Sequence, residues 1–296
     1  SFLGRYAMID FILSNYSNSG IDQVQILIPA HYDSLRSHLQ NGSVWIRNTK
    51  TGYIRPVLNE KGLSNPKQNT DISNIVNNIP RSALEADYVI VAPVHYLSSM
   101  DFRPIVKEHI ASGREITVVT TKTKKGDTEY YGCDEVKIEK DNTISLCKPH
   151  TFDKEANISL NTYIFNHDSF FEMINFAREL SSNYSIKKIV NHFINNHISP
   201  INNYSFDGYV VPITSLKDYI KYSFDLLTYN KRQKLFKPEW PIYTTTHNTP
   251  PAIYGSDAEV TNSFITNGAI IKGKVKNSII CRDVVIEDGA EVIEPA

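Results

Sequence analysis

The sequence predicts an α/β domain with a mostly parallel sheet, followed by a C-terminal left-handed parallel β-helix. Three observations carry that expectation. Residues 88–92 (Tyr-Val-Ile-Val-Ala) form a short, continuous, β-branched run bounded by Asp87 and Pro93, the pattern of a buried strand. A helical stretch at 102–112 and a second β-rich run at 115–121 follow it, and strand–helix–strand order indicates a parallel sheet covered on both faces. From Val260 onward, apolar residues recur in six-residue steps as Ile265 and Ile271, then Ile280, Ile286 and Val292. That step matches neither the helix period nor β alternation, and fits a coil completed by three short strands.

The elements follow in order. Residues 7–19 read as an amphipathic helix stopped by Gly20, 24–28 as a short buried strand, and 31–40 as the next helix. Residues 44–58 are ambiguous, with Trp45, Ile46, Tyr53 and Ile54 separated by a polar turn. Turn chemistry at 62–70 predicts a loop, 71–79 a helix, and Pro80 the start of another turn. Gly113 ends the 102–112 helix, and polar hairpin-like material runs through 144–146. Residues 158–165 form a strand, 167–180 a Phe-rich helix, and 185–195 a helix with the stripe Ile186, Ile189, Val190 and Phe193. In the last part, Ala269, Val275, Val284 and Ala290 stand four positions after the recurring apolar residues, with Gly268, Gly273 and Gly289 at the corners.

The expected boundary places the α/β domain at 1–238 and a linker with the β-helix at 239–296. A parallel-sheet domain usually opens on a buried strand and a Gly-rich loop, whereas this sequence opens on Ser-Phe-Leu-Gly-Arg. That strand and loop are therefore expected before residue 1, and further β-helix after residue 296.

Composition narrows the function. A formal net charge of -1 with no basic stripe argues against a nucleic-acid surface. Cys133, Cys147 and Cys281 are sparse and lack a C-x-x-C pair, which fits a reducing, cytoplasmic setting and offers no disulfide framework or thiolate zinc site. No apolar run approaches the length of a membrane span, and no signal peptide is visible.

Sites in open α/β sheets lie beyond the carboxyl ends of the strands. After 88–92 the chain reads Pro93-Val94-His95-Tyr96-Leu97. Nucleotidyl transfer there needs an Asp or Glu, because a carboxylate-held divalent cation must offset the charge of the phosphoryl oxygens. Val94 supplies no such group. A lone histidine such as His95 reads more simply as a structural hydrogen-bonding residue than as a ligand.

Two motifs make a resemblance specific. Residues 4–15 (Gly-Arg-Tyr-Ala-Met-Ile-Asp-Phe-Ile-Leu-Ser-Asn), followed by Asn18-Ser19-Gly20-Ile21, resemble the stretch G-(K/R)-(F/Y)-R-(I/M)-I-D-F-x-L-S-N-x-x-N-S-G-I. Trp240-Pro241-Ile242-Tyr243, with Thr246 to Ala252 after it, resembles the linker before the β-helix in the same family, bacterial glucose-1-phosphate adenylyltransferase (ADP-glucose pyrophosphorylase). The resemblance implies a Rossmann-like nucleotidyltransferase domain and the reaction of ATP with glucose 1-phosphate to give ADP-glucose and pyrophosphate.

Several functional positions depart from that pattern. Val94 stands where the family has the magnesium-holding Asp of A-G-D-H-(I/V)-Y. Pro212 stands where the second metal carboxylate of G-Y-W-x-D-V-G-T belongs, with Asp218 and Asp207 as the nearest possible replacements. Lys148 falls on the lysine of (V/F)-x-E-K-P that contacts the sugar phosphate, but its Glu neighbour is Cys147, and the Gly of S-M-G-I-Y has become Asn161. The resemblance is nearest to the non-catalytic, regulatory-type second subunit that some Gram-positive bacteria pair with a catalytic subunit in a heterotetramer. It implies no catalytic residue and no cofactor held by this chain, with Mg²⁺ expected for the catalytic partner. Glucose 1-phosphate, ATP or a sugar-phosphate effector remain candidate ligands. The competing readings are an active adenylyltransferase with altered metal ligands and a sugar-phosphate-binding module. An acyltransferase reading is disfavoured, because a short repeat follows a large α/β domain.

Overall fold

The computed structural model describes residues 2–28, 32–58, 70–79, 84–151, 153–181, 184–246 and 248–293. The loop expected at 62–70 lies outside these residues except for Thr70, as do His31 and Pro80. The chain begins with α1 (Met8–Asn18), β1 (Gln23–Ile28), α2 (Tyr32–Leu39), β2 (Tyr53–Leu58), α3 (Asp71–Asn78), β3 (Tyr88–Val91) and β4 (Tyr96–Ser98). It continues through α4 (Phe102–Ser112), β5 (Ile116–Thr123), β6 (Asp134–Ile138), β7 (Ile144–Pro149), β8 (Ala156–Asn166), α5 (His167–Leu180) and α6 (Ile186–Asn195). Next come β9 (Asn202–Ser205), β10 (Val210–Pro212), α7 (Leu216–Asp225) and α8 (Tyr229–Leu235). Short strands finish it: β11 (Ile253–Tyr254), β12 (Glu259–Thr261), β13 (Phe264–Ile265), β14 (Ile270–Ile271), β15 (Lys274–Lys276), β16 (Ile279–Ile280), β17 (Val285–Ile286) and β18 (Glu291–Ile293). Two compact units result, one of residues 1–15, 94–99 and 208–296, the other of residues 16–93 and 100–207.

The second of these units holds a six-stranded sheet centred on β8. β3, β5 and β6 all pair with β8 in the antiparallel sense, and β9 pairs parallel to β5. β3, β5, β6 and β9 therefore run one way, while β8 and β7 run the other. Four of the six strands share a direction, but the sheet is not the mostly parallel one expected. β8 is inserted among them in reverse, and only β5–β9 is a parallel ladder, the other four being antiparallel. β1 and β2 form a separate parallel pair. The stretch 158–165 marks a strand without specifying its direction: all of it is buried, the polar Ser159, Asn161 and Thr162 included.

Helix ends follow the local chemistry. The Asp101 side chain accepts from the Arg103 N–H at the start of α4, and Gly113 takes φ +61° after its last turn. Ser185 accepts from Lys188 N–H to cap α6. The Asp71 carboxylate accepts from Ile186 N–H at 3.0 Å and so ties α3 to that same helix start. α5 buries Phe170, Met173, Ile174 and Ala177, and α6 buries Ile186, Ile189, Val190 and Ile194, in one core with Ile116, Val118, Tyr163 and Phe165 from the sheet. The i, i+3, i+4 spacing puts each set on one helix face. No helix among the described residues is long and apolar enough to cross a membrane.

The other unit is organised by the first part of α1 and the β4–β10 ladder. Phe2, Leu3 and Phe11 pack with Leu97, Val211, Tyr222, Leu226 and Leu235. Asn15 donates to the Ser98 carbonyl at 3.1 Å and accepts from Trp240 Nε1–H at 2.9 Å, while Ser14 Oγ accepts from Tyr243 N–H at 2.8 Å. These contacts join the two motifs that lie at opposite ends of the sequence.

The terminal strands stack in three parallel ladders, β11-β14-β17, β12-β15-β18 and β13-β16. Equivalent residues recur after 15 or 17 positions: Phe264 pairs with Ile279, and Ile253 with Ile270. The coils are therefore shorter than three full six-residue steps. Ala269, Ile271, Val275, Ile280 and Ile286 are buried inside them, with Ile265, Val284, Ala290 and Val292 packed alongside. Non-glycine residues take some of the turns: Asn262 and Asn277 both have positive φ, and the Asn262 side chain donates to that of Asn277 at 2.9 Å. Asn tolerates this conformation better than most side chains.

One ladder supplies a test of the coil. Ile271 is fully buried, whereas Val285, on the neighbouring strand β17, is 48% exposed. Ile271→Ala is expected to cost about 2–5 kcal/mol, and Val285→Ala to stay within about 0.5 kcal/mol of the parent. Chemical denaturation of the two variants measures both.

Candidate functional site

The β4–β10 ladder holds the two positions that the sequence marks as missing carboxylates. It pairs Val210 with Ser98, Val211 with Leu97 and Pro212 with Tyr96 in the antiparallel sense. It extends one step further through Ile213 N–H, which donates to the His95 carbonyl at 2.7 Å. Val94, 38% exposed, lies in the turn leading into β4, and buried Pro212 closes β10. One short ladder thus brings Val94 and Pro212 to the same end, and neither side chain carries an oxygen or nitrogen donor. Magnesium requires oxygen ligands in near-octahedral array, so these two residues do not fit it.

The two possible replacements differ in placement. Asp218 sits in the first turn of α7, where its carboxylate accepts from Thr214 N–H at 3.2 Å and Thr214 Oγ1–H at 2.8 Å. Its Oδ2 is therefore committed to closing the loop before its own helix. Asp207 is exposed and belongs to the other unit. His95 stacks its ring 4.5 Å from that of Tyr96. Among the described residues no group of three or more His, Cys, Asp or Glu side chains is placed to hold a metal ion.

Lys148 lies in the other unit, on the β6–β7 hairpin. The register sets it directly opposite Glu135, and its Nζ stands 2.8 Å from Glu135 Oε1. The same carboxylate accepts from Thr151 N–H at 3.1 Å and from Thr151 Oγ1–H, and His150 Nδ1 stands 2.8 Å from Oε2. Burial pushes the Glu135 pKa upward, but the bonds from Lys148, Thr151 and His150 outweigh it and bring it down to about 2. Sequence reading identified Lys148 but missed Glu135, His150 and Thr151. The missing signal was hairpin register, which places residue 135 across from residue 148.

The altered neighbours of Lys148 have structural partners. Cys147 is buried, and its backbone exchanges two 2.8 Å hydrogen bonds with the Asn195 side chain. Its thiol lies 3.2 Å from Asn191 Oδ1, and burial, with the Asp134 charge beside it, pushes it up to about 12. Asp134 is itself held by Asn191 Nδ2–H at 2.8 Å and Lys187 Nζ at 3.1 Å. Asn161 occupies a bulge between the Val119–Thr162 and Thr120–Ser159 pairs of the β5–β8 ladder, with φ +49°. It keeps a left-handed conformation that Gly adopts freely, and its Oδ1 accepts from Tyr163 O–H at 3.2 Å.

A nucleotidyl transferase family model matches residues 1–223, more than half of the chain. The chain belongs to the nucleotidyl transferase family. This family member is also related to proteins named glucose-1-phosphate adenylyltransferase. The one from Clostridioides difficile is 28% identical over 312 residues, covering 99% of this chain and 77% of the relative. Those from Geobacillus stearothermophilus and Bacillus subtilis are 28% and 27% identical, covering 98% and 97% of this chain and 76% of each relative.

Two measurements check the site of this nucleotidyl transferase relative. Cys281 is exposed, whereas Cys133 and Cys147 are buried. A maleimide at pH 8 is expected to label the native protein once, at Cys281, and all three thiols after denaturation; intact-mass analysis counts the adducts. Because the Glu135 pKa is lowered on folding from 4.5 to about 2, its ionised form stabilises the native state above pH 4.5. That contribution is lost as pH falls from 4.5 towards 2. Glu135→Gln is expected to flatten this part of the stability–pH curve, measured by denaturant unfolding.

Proposed function

We propose that this chain is a regulatory or accessory subunit of glucose-1-phosphate adenylyltransferase, supporting ADP-glucose synthesis from ATP and glucose 1-phosphate for glycogen biosynthesis. The observation that carries the reading is that neither Val94 nor Pro212, at one end of the β4–β10 ladder, has a side chain able to hold a metal ion. Val94 and Pro212 occupy the positions where the resemblance puts both metal carboxylates, and the Asp218 carboxylate is bonded to Thr214. Loss of one electrostatic group at a transition state typically costs about 10²–10³ in rate, and two are changed here.

The retained architecture supports a role in assembly. In this reading the parallel coils close as a left-handed β-helix and contribute to a cytoplasmic heterotetramer with the catalytic subunit, which binds Mg²⁺. The outward ladder Ile253–Ile270–Val285 gives that β-helix an apolar face, with Ile253 55% and Val285 48% exposed. Residues 1–238 then form the nucleotidyltransferase-like domain and 239–296 the linker and β-helix.

The test is an assay of ADP-glucose formation from ATP, glucose 1-phosphate and Mg²⁺. The purified chain alone is expected to turn over at least about 10³-fold more slowly than a catalytic subunit. Adding it to the catalytic subunit of the same organism is expected to raise the rate or shift its response to effectors. Robust magnesium-dependent turnover by the isolated chain would overturn the proposal in favour of an active enzyme.

A further inference from the structure

We infer that the Lys148 end of the β6–β7 hairpin is an anion-binding cradle filled by the chain's own Glu135 carboxylate, and that a phosphate group can enter only when this carboxylate is removed. Four donor groups converge on Glu135: the Lys148 ammonium, the His150 imidazole, the Thr151 backbone N–H and the Thr151 hydroxyl. Ammonium, ring N–H, hydroxyl and backbone N–H are the groups that receive phosphate oxygens elsewhere, through charge-assisted bonds. Two of them have a second partner: the Thr151 hydroxyl also lies 3.2 Å from Asp153 Oδ2, and the His150 ring is held from its other side. His150 has no exposed side-chain surface, and its Nε2 faces the Gly126 carbonyl at 2.9 Å. Its Nδ1 faces the carboxylate, so both ring nitrogens lie against oxygen atoms. Lys148 remains 45% exposed, which leaves one side of the cradle open to solvent.

The occupant is built in. The Glu135 side chain is only 12% exposed, and the hairpin register fixes it opposite Lys148. A tethered group competes at an effective concentration that a free ligand must exceed. A dianion arriving at Lys148 would also face the Glu135 charge at close range, where like charges repel strongly. The contact expected between Lys148 and a sugar phosphate is thereby replaced by an internal one. This inference goes beyond the proposed accessory role, and its test reads ligand binding to this chain alone, so it can fail while that role stands.

The experiment is calorimetric titration of the full chain with inorganic phosphate and, separately, glucose 1-phosphate. Glu135→Ala removes the carboxylate and empties the space it fills. It is expected to bind phosphate at least about 10-fold more tightly than the parent, the equivalent of one charge-assisted contact. Adding Lys148→Met to that variant is expected to abolish the gain. Lys148→Met in the otherwise unchanged chain is expected to leave the binding of either probe unaltered. A folded Glu135→Ala variant that binds neither probe more tightly would overturn the inference. So would a 10-fold loss of glucose 1-phosphate binding in the Lys148→Met single variant, an arm that does not depend on the Glu135 variant folding.

Discussion

The buried polar face of α1 is the constraint on which one of the two units depends. Asp10, Ser14 and Asn15 are each at most 1% exposed. Burying such groups without partners costs several kcal/mol, so each must find a hydrogen bond inside the protein. Asp10 accepts from Ala7 N–H at the start of the helix, Ser14 from Tyr243, and Asn15 joins Ser98 to Trp240. Because Ser98 lies on β4, Asn15 also fixes the strand whose other end carries Val94. Because Trp240 and Tyr243 precede the coils, the same helix ties in the segment from which the coiled strands start. A helix read only for its apolar stripe would miss that its polar side sets the fold.

The other unit accommodates its unusual residues by pairing them locally. The Asp134 carboxylate, 6% exposed, would be costly alone, but Lys187 and Asn191 meet it. Cys147 sits beside that pair with its thiol neutral, since burial and the Asp134 charge both oppose a thiolate. Asn161 keeps the backbone conformation of the bulge and turns its amide oxygen towards the Tyr163 hydroxyl. In each case the main-chain geometry of the sheet persists while the side chain finds a partner within it. His109 shows the same logic at the other end of β8: burial lowers its pKa, and its ring lies between Thr117 and Asn166.

Much of this was legible in the sequence where pattern and chemistry agree. The 102–112 helix, stopped by Gly113, and the Phe-rich 167–180 helix have the expected bounds. The interior residues of the coils also followed from their recurrence, because each strand contributes buried side chains at repeated positions. Strand direction was not legible: at 158–165 polar Ser159, Asn161 and Thr162 are buried along with their apolar neighbours, and the stretch is the reversed strand to which three others pair. The helix at Tyr229–Leu235 was missed because its sequence, Tyr-Asn-Lys-Arg-Gln-Lys-Leu, has almost no apolar stripe. At the candidate site, the absence of carboxylates at 94 and 212 could be read directly from residue type. The environment of Lys148 could not, since it depends on a cross-strand partner 13 residues away in sequence.

The two units treat lost and gained charge in opposite ways, and a single energetic rule explains both. Carboxylates facing one another across a strand end repel unless a cation lies between them. Val94 and Pro212 place no charge at that end of the β4–β10 ladder, and Leu97 and Val211 of the ladder pack in the core. Glu135 is the converse case. Its charge is kept because Lys148, His150 and Thr151 already surround it, so the protein itself supplies the anion that those donors require. Charge is kept where the chain itself supplies partners, as at Glu135, and the ladder end at Val94 and Pro212 is built from apolar side chains instead.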